Sequence, residues 1–162
     1  MRAFRQVLPL LACVALAPTS ALACSCSQAI ETPITQLYRW QIARQGTPGR
    51  PELGSIQDLL SPTLYQDLTA AYQLNPGEGR GYLDFDPFSG TQVYTHNVLV
   101  VGCSGDSADV AVFTGLKGRL SEAPQRLSLQ MQQRADRTWV VGDITYPSGV
   151  QLSSVLSGLL KQ

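Results

Sequence analysis

The first half of the chain places its apolar residues at helical spacing. Between Pro33 and Arg44 they recur in steps of three and four, which puts them on one face of a helix. These residues are Ile34, Leu37, Tyr38 and Ile42. Pro33 marks the predicted start of this helix, and Gly46 follows its end. Residues 46–51 are rich in glycine and proline and predict a loop.

Two further helices are predicted before residue 75. Ser55 and Asp58 resemble a capping pattern for a short helix that reaches Leu60. Ser61 followed by Pro62 is typical of a helix start, with serine as the N-cap and proline at the first helical position. The apolar residues of this longer helix again share one face: Leu64, Leu68, Ala71 and Tyr72. An irregular segment over residues 79–88 then leads to the second half of the chain.

The second half has the two-residue period of strands. Four strands are predicted, over residues 92–102, 108–114, 127–132 and 138–144, and turns rather than helices separate them. In the third strand Leu127, Leu129 and Met131 alternate with polar residues, so one face points to a core and the other to water. A short helix over residues 152–160 closes the chain. The order predicts an α+β class, with helices packed on a curved antiparallel sheet of about four strands.

The first 23 residues have the order of a secretory signal peptide. Arg2 and Arg5 precede an apolar run over residues 7–16, and small residues end at Ala23 before Cys24. The run is shorter than the ~20 residues that a membrane-spanning helix needs, so we expect cleavage rather than a retained anchor. Residues 24–32 then form an N-terminal segment, and residues 33–162 form a single domain. The mature protein is expected in the periplasm or outside the cell.

The cysteines leave two arrangements open. Ordinary cleavage after Ala23 is the preferred interpretation, but Cys24 also resembles the lipid-bearing cysteine of a bacterial lipoprotein, which would attach the protein to a membrane. If Cys24 carries a lipid, Cys26 pairs with Cys103; otherwise either N-terminal cysteine can reach Cys103. We interpret the pair as a structural disulfide, because the spacing offers too few ligands for zinc and lacks the Cys-x-x-Cys pattern of redox enzymes.

The charge of the chain argues against nucleic acid as a partner. The full sequence has 12 basic and 12 acidic side chains, and removal of the signal takes two of the basic ones away. Binding to phosphates requires clustered lysine and arginine, and the sequence contains no such cluster.

Four segments, taken together, resemble a known family. They are Tyr38-Arg39-Trp40, residues 60–65, residues 84–88 and the late strand over residues 138–144. In this order they are similar to the bacterial envelope family catalogued as domain of unknown function 3828, whose members are small exported proteins or lipoproteins. The resemblance covers about residues 33–160, and the late strand resembles the terminal strand of the nuclear transport factor 2-like fold. It implies a cone of curved sheet wrapped on helices with a cavity inside, but it implies no reaction.

Two acidic residues and the single histidine are the candidates for chemistry. Asp84 and Asp86 are two positions apart, so on an extended segment both carboxylates point the same way. His96 begins a strand and would need an oriented partner, which Asp84 or Asp86 can provide if the loop folds over the sheet. A structural role is favoured for the aspartates, since aspartate before proline commonly forms turns, and for His96, since a partly exposed histidine on a strand is the usual case. No metal site and no cofactor are predicted.

Aromatic residues are the candidates for binding. Five of them can line a pocket, although a place in the core is the favoured interpretation: Tyr38, Trp40, Tyr82, Tyr94 and Trp139. We therefore expect a non-enzymatic envelope protein that binds another protein, as an accessory subunit or as an inhibitor. The alternatives are binding of a small apolar ligand in the cone cavity, and a hydrolase or isomerase that uses His96 with one of the aspartates.

Overall fold

The computed structural model describes residues 26–74, 81–117, 119–121 and 123–161. The predicted signal peptide and Cys24 lie outside these residues. The helices are α1 (Gln28–Arg44), a 3-10 helix (Leu53–Leu59), α2 (Pro62–Gln73) and α3 (Leu152–Leu160). The strands are β1 (Tyr94–Ser104), β2 (Ser107–Leu116), β3 (Arg119–Leu120), β4 (Gln125–Gln133) and β5 (Trp139–Thr145). The predicted α+β class is confirmed.

The strands form one antiparallel sheet in the order β1, β2, β4, β5, and the short β3 pairs with β2. The two outer strands differ in how their free edges are covered. On β5, the amide of Ser61 donates to the Val141 carbonyl at 2.8 Å, and Arg134 donates to the neighbouring Leu60 carbonyl at 3.0 Å. The segment before α2 therefore covers part of the β5 edge, and β1 forms the opposite edge.

The helices bury the predicted apolar faces against one side of the sheet. Ile34 and Leu37 of α1 and Val110 of β2 are each 0% exposed and belong to one core. The alternation predicted for the third strand is confirmed, because Leu127, Leu129 and Met131 of β4 are buried there. None of the helices in the described part of the chain is long and apolar enough to cross a membrane.

The first helix begins earlier than the sequence predicts. It starts at Gln28 and contains Pro33 in its interior, whereas proline is most common in the first turn because it lacks an N–H to donate. Burial of Ile30, which is 7% exposed, and a disulfide between Cys26 and Cys103 hold this additional turn against the sheet. Of the two pairings that the sequence left open, the structure selects Cys26 with Cys103.

Candidate functional site

Helix α1 and strand β1 lie side by side and are joined at both ends. The disulfide connects Cys26, just before α1, to Cys103, near the end of β1. At the other end the side chain of Gln45, just after α1, donates to the Thr95 carbonyl at 2.8 Å and accepts from the Thr95 amide. Since the start of α1 meets the end of β1, the two elements run in opposite directions.

A groove of about 530 Å³ lies between these two elements. Ile34, Tyr38 and Ile42 of α1 line it on one side, and Val98 and Val100 of β1 line it on the other. We call this surface the α1–β1 groove. Its interior is largely apolar, which is the usual character of a binding site in proteins.

The helical wall of the groove carries opposite charges at its two ends. Glu31, Thr35, Arg39 and Ala43 line it at intervals of four residues, so they form one row along α1. Because α1 and β1 are antiparallel, Glu31 lies toward the disulfide end and Arg39 lies toward the Thr95 end.

One edge of β1 pairs with no strand of the described residues, and this free edge runs along the groove. In an antiparallel ladder, successive residues point their N–H and C=O groups alternately toward the partner strand and away from it. Both backbone groups of Thr95 bond Gln45 and thus point away from β2. A register shift at His96 adds one residue to β1, so that the backbone N–H and C=O groups of Val98 and Val100 also point away from β2, as those of Thr95 do. The Val98 amide accordingly donates to its neighbour, the Asn97 side chain, at 2.9 Å.

Apolar side chains also remain exposed along this edge. Leu99 and Val101 of β1 are 49% and 38% exposed. Edge strands of natural proteins usually carry charged residues or proline, which prevent pairing with other chains. In β1 the stretch from Val98 to Val101 contains four consecutive aliphatic residues instead.

The end of the groove near Thr95 rests on a polar cluster around Asp86. The Asp86 carboxylate accepts hydrogen bonds from Arg44 at 2.9 Å, from Gln41 at 3.0 Å and from the Phe88 amide at 2.8 Å. Gln41 is fully buried and also donates to the Thr95 hydroxyl at 3.0 Å. We call these five residues the Asp86 cluster. It connects the end of α1 to the start of β1 through the turn at residues 86–90.

Two tyrosine hydroxyls hold the same turn. Tyr38 donates to the Phe88 carbonyl at 2.9 Å, and Tyr146 donates to the Pro87 carbonyl at 2.8 Å. Burial raises the pKa of both tyrosines well above their ordinary value, and the negative charge of Asp86 raises it further. Both side chains therefore remain protonated hydrogen-bond donors at neutral pH.

Trp40 packs beside this cluster. Its ring meets the Phe88 ring edge to face at 5.8 Å between centroids, and the Arg44 guanidinium lies 4.7 Å from the Trp40 ring centroid. Of the residues that the sequence singled out, Tyr38, Trp40 and Asp86 are thus brought together, and all three support the end of the groove.

The other predicted site residues do not belong to this cluster. Asp84 is exposed, with the Gln92 amide nitrogen 3.4 Å from its carboxylate. With Tyr94 it lines a more polar cleft of about 440 Å³, whose wall also includes Arg44 and Asp86 of the cluster. His96 is exposed, and its ring lies 3.3 Å from the Gly115 carbonyl rather than beside either aspartate. Trp139 is half-buried at the start of β5.

The described part of the chain contains no group of three or more histidine, cysteine, aspartate or glutamate side chains that could hold a metal ion.

Sequence reasoning missed Gln41, Arg44 and Gln45, which connect α1 to the turn and to β1. One signal was present for Gln41. It follows Leu37 by four residues and Tyr38 by three, so it lies on the buried face of the helix. A buried amide needs hydrogen-bond partners, and this requirement predicts a polar group facing it from another element.

Comparison of the sequence with protein-family models, with curated proteins and with solved structures finds no match. The resemblance to domain of unknown function 3828 and the nuclear transport factor 2-like cone stay predictions.

Proposed function

We propose that this protein is a non-enzymatic, protein-binding module of the bacterial cell envelope, and that its partner binds along the α1–β1 groove. The observation that supports this function is the free edge of β1, which carries exposed aliphatic residues beside an apolar groove. The opposite edge of the sheet differs, because the amide of Ser61 bonds the Val141 carbonyl there.

The energetics favour a partner that uses the groove and the strand edge together. Full burial of a valine or leucine side chain contributes roughly 1.5–3 kcal/mol. Leu99 and Val101 are about half exposed, so covering them contributes about 1 kcal/mol each. Micromolar affinity requires about 8 kcal/mol. The remainder must come from the interior of the groove and from the backbone groups of β1.

A surface site is favoured over a ligand cavity inside the domain. Behind the groove, between α1 and the central strands of the sheet, Leu37, Val110 and Val112 are each 0% exposed. A small ligand inside the domain would have to displace these side chains, whereas a partner at the groove beside β1 would not.

The proposed setting is the periplasm or the exterior of the cell, with the exported chain either free or attached by a lipid at Cys24. Membership of the envelope family and the cone-like fold belong to the same proposal. The order of the elements, in which a long N-terminal helix packs on an antiparallel sheet, supports the fold, whereas family membership rests on the resemblance of the four sequence segments.

The test compares two tryptophan variants of the same helix. Thr35→Trp places a large ring in the mouth of the groove, because Thr35 is exposed and lines it. Gln36→Trp places the same ring on an exposed position of α1 that does not line the groove. The tagged wild type and both variants are used to capture partners from the native envelope, which mass spectrometry then identifies.

The proposal expects one protein to be captured by the wild type and by Gln36→Trp, and its yield to fall at least tenfold with Thr35→Trp. Circular dichroism and urea unfolding check that both variants are folded. If the same protein is captured equally by both variants, the groove is not the binding site.

A further inference from the structure

We propose that the partner contributes an extended peptide segment that adds a strand antiparallel to β1. On its groove-facing side this segment carries a basic residue, then an apolar residue, then an acidic residue, each two positions after the one before. This inference rests on the proposed function and specifies how the partner is recognised at the same groove.

The backbone of β1 supplies the first part of the argument. The Val98 carbonyl and both backbone groups of Val100 point away from β2 to the open side of β1, in the same direction as the backbone groups of Thr95. A peptide strand that pairs with Val100 satisfies its N–H and C=O at once, and the Val98 carbonyl accepts the next amide. The Val98 amide already donates to Asn97 and need not take part. Main-chain bonds of this kind provide affinity in strand addition.

The apolar interior of the groove defines the central residue of the peptide. In an added strand, alternate side chains point to the same face as Val98 and Val100, and that face meets Ile42, with the buried Ile34 and Tyr38 beneath it. One aliphatic side chain of the peptide would therefore lie between α1 and β1. The residues on either side of it in the peptide would lie on the opposite face of the sheet, beside the exposed Leu99 and Val101.

The charges on α1 define the direction of the peptide. Glu31 and Arg39 are eight residues apart, which is about 12 Å along a helix. Four residues of an extended strand span about 14 Å, so side chains at positions i and i+4 of the peptide match this separation. A strand antiparallel to β1 runs in the same direction as α1. Its basic residue then meets Glu31, and its acidic residue meets Arg39 four positions later.

The closed ends of the groove limit the length of the segment. Gln45 covers the backbone of Thr95, and the disulfide occupies Cys103. With two register shifts between these residues, the open part of β1 is about 20 Å long, or about six residues of an added strand. A longer partner must leave the sheet at both ends.

The experiment uses two end-blocked peptides and the protein from residue 24 onward. One peptide has the core Lys-Thr-Val-Thr-Glu, and the other has the reversed core Glu-Thr-Val-Thr-Lys. Fluorescence anisotropy measures their affinities. The forward peptide is expected to bind about fivefold more tightly, because two exposed charge pairs contribute modestly. The double variant Glu31→Lys/Arg39→Glu is expected to reverse this preference.

Amide hydrogen exchange, followed by NMR, tests the binding mode itself. Saturation with the forward peptide is expected to slow exchange of the Val100 amide at least tenfold, whereas Val112, already inside the sheet, should change little. Methylation of the peptide nitrogen that bonds the Val100 carbonyl should weaken binding about tenfold.

The outcomes separate this inference from the proposed function. If Thr35→Trp abolishes capture of the partner but the peptide leaves Val100 unprotected or fails to bind at millimolar concentration, strand addition is wrong and groove binding stands. If Thr35→Trp captures the partner as well as the wild type, the proposed function is wrong as well. A dimer in light scattering, with Val100 protected before any peptide is added, would overturn the inference in favour of pairing between two copies of β1.

Discussion

Replacing Asp86 with alanine removes one carboxylate that accepts hydrogen bonds from three directions. Arg44 donates to it from the end of α1, Gln41 donates from the buried face of the same helix, and the Phe88 amide donates from within its own turn. The Arg44 and Asp86 side chains are only 22% and 16% exposed, so water can replace the lost acceptor only in part.

The expected loss of stability is about 3 kcal/mol. A neutral hydrogen bond contributes about 1 kcal/mol, and one to a charged partner contributes about 1.5–3 kcal/mol. Breaking a fully buried ion pair costs about 3–5 kcal/mol, and the partial exposure of this pair places it at the lower end. Asp86→Asn keeps one acceptor oxygen but loses the charge, so we expect about half of the loss.

Urea unfolding followed by circular dichroism measures these differences. With an m-value of about 2 kcal/mol per molar urea, Asp86→Ala should lower the midpoint by about 1.5 M. Asp84→Ala is the matched control, because this carboxylate is exposed and we expect a change within about 0.5 kcal/mol. Equal effects of the two substitutions, or a loss below about 1 kcal/mol for Asp86→Ala, would refute the role assigned to the Asp86 cluster.

Folding raises the pKa of Tyr38, Tyr72 and Tyr146, mainly by burial. Their stabilising effect is therefore complete below about pH 10 and is lost as the pH rises further. Absorbance at 295 nm should show these tyrosines ionising only as the chain unfolds, and their ionisation in the folded protein would contradict this prediction. Cys103→Ser removes a disulfide that closes 77 residues of chain and should cost about 3 kcal/mol in urea unfolding, whereas an unchanged midpoint would show that the bond is dispensable. Gly90→Ala should lower stability by about 2 kcal/mol in thermal unfolding, because a Cβ would lie 2.8 Å from the Tyr146 ring. The control Gly149→Ala, at a glycine with a similar positive φ but open space around it, should cost about 1 kcal/mol. Equal losses for the two variants would exclude the steric effect.

Much of the secondary structure follows from local signals. Ser61 accepts a hydrogen bond from the Leu64 amide as an N-cap should, and Pro62 occupies the first turn of α2. The alternation of Leu127, Leu129 and Met131 predicted both a strand and its buried face. These features depend on neighbours within a few residues, so the sequence determines them by itself. The start of α1 was predicted too late because tertiary contacts of Ile30 and Cys26 stabilise the turn before Pro33.

The candidate site depends instead on contacts between distant parts of the chain. Gln41 meets Asp86 across 45 residues, and Gln45 meets Thr95 across 50. No local pattern indicates that β1 is an edge strand, since Val98, Leu99 and Val100 read equally well as a central one. Strand order and the packing of α1 along that edge are decided by the whole chain folding together. The sequence therefore determined the elements and the disulfide candidates, whereas only the tertiary structure decided that an unpaired edge and an apolar groove lie side by side.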